Sequence, residues 1–226
     1  MSLLATVIDV FVDRDDDHGT ATGIVWASSR TRKHEHEITA DLGIHEAIFI
    51  DGVNDGVATA RVFTSSMERR FSVASSVALA GWLRDAGDEI RSIDVPAGSV
   101  RVRADDDDAV FVTAMPEWVP EFELAQLSTP AEVDAVDPDA FGTGRHYVWA
   151  WADESAGEVR ARLFIPDDGL REAQAGGSAA VRLSSELARD LRIREGAGSL
   201  LATHVRYLGQ QVEVGGRVAR PREVEL

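Results

Sequence analysis

The chain has 226 residues, of which 44% are hydrophobic and 27% charged, and this predicts a folded globular protein of one large domain or two small ones. The formal net charge of −16 argues against nucleic-acid binding, because a surface that follows phosphates needs clustered cations. The sequence has no cysteine, which excludes disulfides, thiolate metal sites and thiol catalysis. Its single lysine, Lys33, lies in a charged run that is a poor setting for a Schiff base.

Membrane and targeting signals are the next class to consider. No stretch reaches the roughly 20 apolar residues that span a bilayer. The apolar start of the chain is short, lacks a basic segment and runs into Asp13, so we interpret it as a first strand rather than a signal peptide. We therefore predict a cytoplasmic protein with neither a membrane nor a nucleic acid as its partner.

The first half of the chain is rich in alternating and β-branched runs, which predict strands at residues 4–12, 20–26, 46–50, 57–63, 90–95, 99–103 and 110–114. Residues 28–42 predict a polar helix that ends at Gly43. Residues 71–85 combine small residues with apolar ones at three- and four-residue spacing, which predicts a mostly buried helix.

A segment rich in Pro, Glu and Asp, residues 115–139, predicts a boundary between two halves, 1–115 and 116–226, with the last strand able to return to the first half. Within it, Thr129 and Pro130 predict the start of a short helix, since Thr caps helices and Pro suits the first turn. Beyond it we expect strands at 146–152, 159–165, 200–207 and 211–214, and a helix at 178–191.

The order of elements recurs in the two halves. In each, a strand that ends in Phe63 or Phe164 is followed by a loop and by a helix that opens on small residues and serine. Duplication of this kind predicts two equivalent halves, with the paired helix starts able to face one another.

Both of these helix starts carry residues suited to binding an anion. Gly176, Gly177 and Ser178 open the second-half helix, where free backbone N–H groups and the helix dipole favour a carboxylate or phosphate. In the alternative interpretation Ser178 is only a cap and the glycines only a turn. Ser75 and Ser76 lie at the first-half helix start, without the GxSxG pattern of a serine nucleophile.

Glu46 is the acidic residue that we single out. It opens an apolar strand directly after a glycine-containing turn. A carboxylate beside an apolar wall can serve as a general acid or base. The sequence leaves open the alternative of an exposed glutamate at a strand end.

Two other segments resemble metal sites in composition but not in spacing. His34 and His36 would point to different faces of a helix, whereas two ligands on one face are four residues apart. Asp13, Asp15 and Asp17 alternate as in a calcium loop, but the turn glycine and the closing glutamate are missing. We therefore predict no metal site.

Read together, several segments resemble the PhzF family, which is related to diaminopimelate epimerase. DVF at 9–11 and the strand after Gly19 resemble its opening DVF and GNPLAVV-like segments, and GIHEAIF at 43–49 resembles its LSETTF segment. RVFT at 61–64 followed by Phe71 resembles its RxFTP…FAGHPTxGAA stretch. RLFIP at 162–166 followed by AGGSAA at 175–180 resembles its RxFxP…EDPATGSAA stretch, and GGR at 215–217 a C-terminal G-R element.

The resemblance implies an α+β fold of two pseudo-symmetric halves, each a curled, barrel-like mixed β-sheet around a central helix, as in diaminopimelate epimerase. It places Glu46 on the family's acid–base glutamate and implies an isomerase without a cofactor. The implied ligand is a small carboxylate or amino-acid-like molecule that undergoes proton transfer. The residues implied in binding it are Ser75, Ser76, Gly176, Gly177 and Ser178.

The sequence departs from the family pattern at three polar positions. Ala74 stands where the family has His, Ala173 where it has Asp, and Thr20 where it has Asn. The alternative to an isomerase is therefore a catalytically degenerate relative that binds a small carboxylate without turnover. A homodimer is the expected assembly, since two-fold pairing is the commonest among soluble proteins.

Overall fold

The structure, a computed structural model, describes residues 3–226, so that Met1 and Ser2 of the predicted first half lie outside the described residues. The chain divides into two compact units. Unit 1 combines Ala21–Thr113 and Arg217–Leu226 with the start of the chain up to Val10, and unit 2 combines Phe11–Thr20 with Ala114–Gly216. Both units are thus discontinuous in sequence, unlike the predicted halves 1–115 and 116–226.

Residues 3–114 form eight strands and two α-helices. The strands are β1 (Leu4–Val12), β2 (Thr20–Trp26), β3 (Glu46–Asn54), β4 (Val57–Thr64), β5 (Glu68–Arg69), β6 (Ser92–Val95), β7 (Gly98–Ala104) and β8 (Val110–Ala114). The helices are α1 (Glu35–Asp41), between β2 and β3, and α2 (Val73–Asp85), between β5 and β6.

Residues 115–226 form another eight strands and two α-helices. The strands are β9 (Glu123–Gln126), β10 (His146–Asp153), β11 (Glu158–Ile165), β12 (Leu170–Ala173), β13 (Leu191–Glu195), β14 (Ser199–Arg206), β15 (Gln211–Val218) and β16 (Arg222–Glu225). The helices are α3 (Pro130–Asp134), between β9 and β10, and α4 (Gly177–Leu187), between β12 and β13.

Strand pairing confirms the internal duplication. In one set, β2 and β3 are parallel, β3 and β4 antiparallel, β4 and β6 parallel, and β6, β7 and β8 antiparallel. In the other, β9 and β10 are parallel, β10 and β11 antiparallel, β11 and β13 parallel, and β13, β14 and β15 antiparallel. The parallel steps need the helical crossovers that α1, α2, α3 and α4 supply. The fold is therefore the predicted α+β repeat of a mixed sheet and its helices.

Side chains repeat along with the topology. Arg61 of β4 lies over the ring of Phe63, 5.2 Å from its centroid, and Arg162 of β11 lies over Phe164 at 4.9 Å. Each guanidinium also pairs with a carboxylate: Arg61 with Glu35 at 3.2 Å and Arg162 with Glu172 at 2.7 Å. The Arg–Phe contact therefore repeats in three dimensions, while the carboxylate partners come from different elements, α1 and β12.

The two longer helices lie at the centre of their units. In α2 the buried residues are Val73, Ser75, Ser76, Val77, Ala78, Leu79, Ala80, Gly81 and Leu83. They point in all directions around the helix, and a helix buried all round is an interior element rather than a surface one. In α4 the buried set is Gly177, Ala179, Ala180, Val181, Leu183 and Ser184. The predicted central helices are confirmed.

The side chains of β3 alternate between the two faces of its sheet. Ala47 and Phe49 pack with Ile38 of α1 in one apolar cluster. Alternation then places Glu46, Ile48 and Ile50 on the other face, which is the face of α2. Because Glu46 is the first residue of β3, its side chain reaches the start of α2 rather than the middle.

The polar helix predicted at 28–42 is wrong in its first half. α1 contains only Glu35–Asp41, and the segment before it is a turn. Within this turn the Ser28 amide donates to Thr31 Oγ1 at 2.8 Å, and Lys33 has a φ of 73°. Serine and threonine side chains that bond to nearby backbone compete with the helix here.

The helix predicted at 178–191 is wrong at its end. Ala188 adopts the left-handed conformation as C-cap, with φ 49°, and α4 ends at Leu187. The residues after it form β13, a buried parallel partner of β11. The predicted linker also contains β9, and β16 was absent from the expected strands. The short helix after Thr129 is confirmed, with the Glu132 amide donating to Thr129 Oγ1 at 3.2 Å.

Candidate active site

The carboxylate of Glu46 is held by the first turn of α2. Ser72 Oγ donates to Glu46 Oε1, and Ser75 Oγ donates to the same oxygen at 2.8 Å. The side chain is 7% exposed, and Oε2 accepts no hydrogen bond from residues 3–226. The serines therefore fix one oxygen of the carboxylate and leave the other without a hydrogen bond from the described residues. The alternative of an exposed strand-end glutamate does not fit this burial.

Ser72 does two things at once. It is the N-cap of α2, since its Oγ accepts from the Ser75 amide at 3.2 Å, and it also donates to Glu46. A hydroxyl can accept and donate simultaneously, so the cap that begins the helix also fixes the orientation of the carboxylate. Sequence reasoning did not single out Ser72. The signal was its position immediately before the first helical residue, where a capping side chain is expected.

The predicted binding residues Ser75 and Ser76 are both fully buried. Ser75 is brought to Glu46, as described. Ser76 Oγ instead donates to the backbone carbonyl of Ser72 at 2.7 Å, within its own helix. Both hydroxyls are thus used inside the protein, and direct contact of either with a substrate stays a prediction.

Thr22 adds a third hydroxyl on the Glu46 face of the sheet. It pairs with Glu46 in the parallel register of β2 and β3, so the two side chains point to the same face. Trp26, four residues after Thr22 in β2, lies on the same face, and its ring packs edge-on against that of Trp82 of α2, with 6.3 Å between the ring centroids. Thr22 is fully buried, and its Oγ1 has no hydrogen-bond partner within residues 3–226. It is a buried polar group on the same face of the sheet as Glu46.

A cationic group lies near the start of the same strand. Arg69 Nη2 of β5 is 3.3 Å from Nε2 of His45, the residue before Glu46. Since a guanidinium only donates, His45 Nε2 is the acceptor in this contact. The pair thus ties β5 to the residue that precedes Glu46 in the chain.

The second predicted group lies at the start of α4 in unit 2. Gly176 is the N-cap and makes no side-chain cap, and the first bond within the helix runs from the Ala180 amide to the Gly176 carbonyl at 2.9 Å. The amides of Gly177, Ser178 and Ala179 precede this bond. They are the free donors that an anion at a helix N-terminus would use. The interpretation of Ser178 as a cap is wrong, because Gly176 holds that position.

A buried acid lies beneath this helix start. Glu195, the last residue of β13, is fully buried, and Tyr147 donates its hydroxyl to Glu195 Oε2 at 2.9 Å. Burial raises the pKa of Glu195 to about 8, although the Tyr147 hydroxyl, the Gly176 amide and the charge of Arg160 all lower it. Burial and the neighbouring Glu195 raise the pKa of Tyr147 well above its usual value.

Sequence reasoning missed Glu195, although the pattern was available. In β13, Leu191 and Ile193 point inward and Arg192 and Arg194 outward. Extending this alternation places Glu195 in the core. An acidic residue at an inward position of an alternating strand is the signal that could have identified it.

The other candidate clusters do not assemble. His34 Nδ1 lies 2.8 Å from Glu37 Oε2, whereas His36 Nδ1 contacts the Thr64 carbonyl, also at 2.8 Å. Asp13 accepts from the backbone amides of Asp15 and Asp17 in a turn. Across residues 3–226, no three His, Asp or Glu side chains gather as metal ligands would. In the same part of the chain no helix is long and apolar enough to cross a membrane.

No protein-family profile matches the sequence. Several solved structures, however, have the same architecture. A phenazine biosynthesis protein of the PhzF family from Enterococcus faecalis superposes with a TM-score of 0.80, at 17% identity and over 100% of both chains. The PhzF-family protein of Bacillus anthracis gives 0.78 at 14% identity, over 100% of this chain and 99% of that one.

The chain has the PhzF-like fold. A more distant match is a hydroxyproline epimerase from Agrobacterium vitis with bound trans-4-hydroxy-L-proline, at TM-score 0.57 and 13% identity, over 99% of this chain and 93% of that one. The expected fold class is thereby confirmed. In this PhzF-like chain Ala74 lies half-buried in the first turn of α2, and Ala173 is buried at the end of β12.

Proposed function

We propose that this PhzF-like chain is a cofactor-independent isomerase that moves a proton on a small carboxylate, with Glu46 as the acid–base residue. The observation that carries the proposal is the geometry of Glu46. Two serine hydroxyls hold Oε1, while Oε2 accepts no hydrogen bond from residues 3–226. A base must be oriented yet keep one atom available to the reacting proton, and this arrangement meets both conditions.

The chemistry needs one base and no cofactor. Glu46 Oε2 would take a proton from a carbon next to the carboxylate or to a double bond, and would return it to another carbon of the same unsaturated system on the same face. The hydroxyls of Ser72 and Ser75 keep the carboxylate from rotating between these two steps, because both bonds end on Oε1. Ser75 is therefore a positioning residue in this mechanism.

The nature of the substrate is inferred from the site and supported by the comparisons. The free amides at the start of α4 suit a carboxylate, which gives the predicted binding role of Gly176, Gly177 and Ser178 a physical basis. The solved epimerase of similar fold holds an amino acid, trans-4-hydroxy-L-proline. We therefore propose an amino-acid-like or unsaturated small carboxylate.

Proton exchange with solvent tests the proposal. The protein is incubated in deuterated water with proline, trans-4-hydroxy-L-proline and a set of small unsaturated acids, and deuterium in the carbon skeleton is followed by NMR and mass spectrometry. Glu46→Gln keeps the shape and the Ser72 and Ser75 contacts but removes the base. Glu89→Gln, an exposed glutamate of unit 1, is the matched control.

We expect exchange in the native protein and in Glu89→Gln, and a loss of about 100-fold or more in Glu46→Gln, the usual contribution of a general base. Exchange that is equal in all three proteins would contradict the role of Glu46. No exchange on any acid, with a carboxylate still bound, would favour the catalytically degenerate relative.

A further inference from the structure

The environment of Glu195 is unusual for a carboxyl group. It is fully buried, Tyr147 donates to Oε2, and Oε1 has no hydrogen-bond partner of good geometry within residues 3–226. The Gly176 amide is the backbone donor near the carboxyl group and favours its ionised form. A buried ionised carboxylate normally accepts several bonds, because otherwise the loss of hydration is not compensated. Nothing in the proposed proton transfer uses this group, so its retention in the core calls for another explanation.

The unpartnered oxygen is aimed at the start of α4. A Cβ atom added to Gly176, the N-cap, would lie 2.8 Å from Glu195 Oε1. Among residues 3–226 no side chain caps this helix, and the first amides that precede its internal hydrogen bonds belong to Gly177 and Ser178. An ionised Glu195 would therefore lie at the positive end of the helix dipole, close to where an external anion would bind.

We propose that Glu195 controls the affinity of the α4 N-terminus for anions, as a buried acid that permits binding when neutral and opposes it when ionised. The neutral side chain leaves the amides of Gly177 and Ser178 to an external carboxylate. The ionised side chain satisfies the helix end itself and repels the ligand. This inference rests on the proposed function in one respect, namely that a substrate carboxylate binds at this helix start.

The groups that face Glu195 favour the neutral form at neutral pH. Tyr147 on β10 donates to it, Arg160 on β11 favours its ionised form, and Glu172 on β12 disfavours it. The guanidinium of Arg160 donates its hydrogen bonds to other groups, namely Asp134 at 2.7 Å and three backbone carbonyls. Since burial outweighs these contributions, the pKa of Glu195 rises to about 8. The titratable group next to the turn after Glu195 is His18, whose ring lies against Gly198.

The test is the pH dependence of sulfate binding, because sulfate stays a dianion throughout the range used. Its dissociation constant is measured by calorimetry between pH 6.5 and 9.5 at constant ionic strength. Glu195→Gln keeps the shape and stays neutral. Glu186→Gln makes the same substitution at an exposed position near the opposite end of α4 and is the matched control.

For the native protein and Glu186→Gln we expect sulfate affinity to fall about tenfold per pH unit above pH 8, or about 30-fold by pH 9.5. Glu195→Gln is expected to keep its pH 6.5 affinity throughout. The same pH dependence in Glu195→Gln, or none in the native protein, overturns the proposal.

A measurement on the native protein alone covers the case in which Glu195→Gln does not fold. The ¹³C signals of the glutamate carboxyl groups are followed against pH with and without sulfate. One carboxyl should titrate near pH 8 and shift when sulfate binds, and its absence overturns the proposal. These readouts involve no turnover, so they fail or succeed separately from Glu46-dependent exchange.

Discussion

Removing the Ser75 hydroxyl should cost the protein more than removing that of its neighbour Ser76. Both side chains are fully buried on α2 and each makes one hydrogen bond, but Ser75 donates to the Glu46 carboxylate at 2.8 Å and Ser76 to a backbone carbonyl at 2.7 Å. A hydrogen bond to a charged group contributes about 1.5–3 kcal/mol and one between neutral groups about 1 kcal/mol. For a chain of this size about 1 kcal/mol corresponds to about 2–4 °C in Tm. Ser75→Ala should thus lower Tm by about 3–12 °C and Ser76→Ala by about 2–4 °C.

A double-mutant cycle with Glu46→Gln isolates the charged part of this cost. In that background Ser75 can donate only to a neutral amide oxygen, so Ser75→Ala should cost about 1 kcal/mol less than in the native protein. Ser76→Ala should cost the same in both backgrounds. The free energies of unfolding come from urea titrations of the four proteins in each cycle. An equal cost of Ser75→Ala in both backgrounds would refute the argument that Ser75 holds a carboxylate.

Three further predictions follow from other parts of the chain. The native state keeps the Glu195 proton up to about pH 8, whereas the unfolded chain releases it near pH 4.5. Between these pH values the free energy of unfolding, relative to that of Glu195→Gln, should therefore fall with rising pH by on the order of 5 kcal/mol. Urea unfolding of both proteins at pH 5 and 8.5 measures this, and an equal change in both would contradict it. Gly176→Ala places a Cβ 2.5 Å from Leu163 Cδ2 and should cost about 1–3 kcal/mol, whereas Gly142→Ala, with nothing within 4 Å, should be near neutral by the same assay. Thr129→Ala removes the α3 cap and should cost about 1 kcal/mol, so an unchanged stability would argue against the cap.

Much of the fold could be predicted because its signals are local. Alternation fixed the bounds of β2 and β8 to the residue, and the recurring strand–loop–helix motif predicted the duplication that the strand pairing shows. What could not be predicted depends on contacts distant in sequence. β13 follows α4 with no turn signal, and its place as a strand depends on its pairing with β11 on one side and β14 on the other. β9 lies in a polar segment and is ordered by β10.

The candidate site divides in the same way. Glu46 could be singled out, because its place at the start of an apolar strand and its resemblance to a family motif are both visible in sequence. The contact of Ser72 with Glu46 and the position of Thr22 could not, because they depend on where α2 begins relative to β3 and on the register between β2 and β3. Glu195 needed the knowledge that β13 exists before its inward position had any meaning.

The most direct test of the central claim is one time course of deuterium incorporation, at fixed protein concentration, into the best substrate of the acid panel. It compares the native protein with Glu46→Gln. The account predicts steady incorporation by the native protein and a rate lower by about 100-fold or more in the variant. Incorporation at the same rate in both proteins would contradict it, because the proton would then be moved by a group other than Glu46.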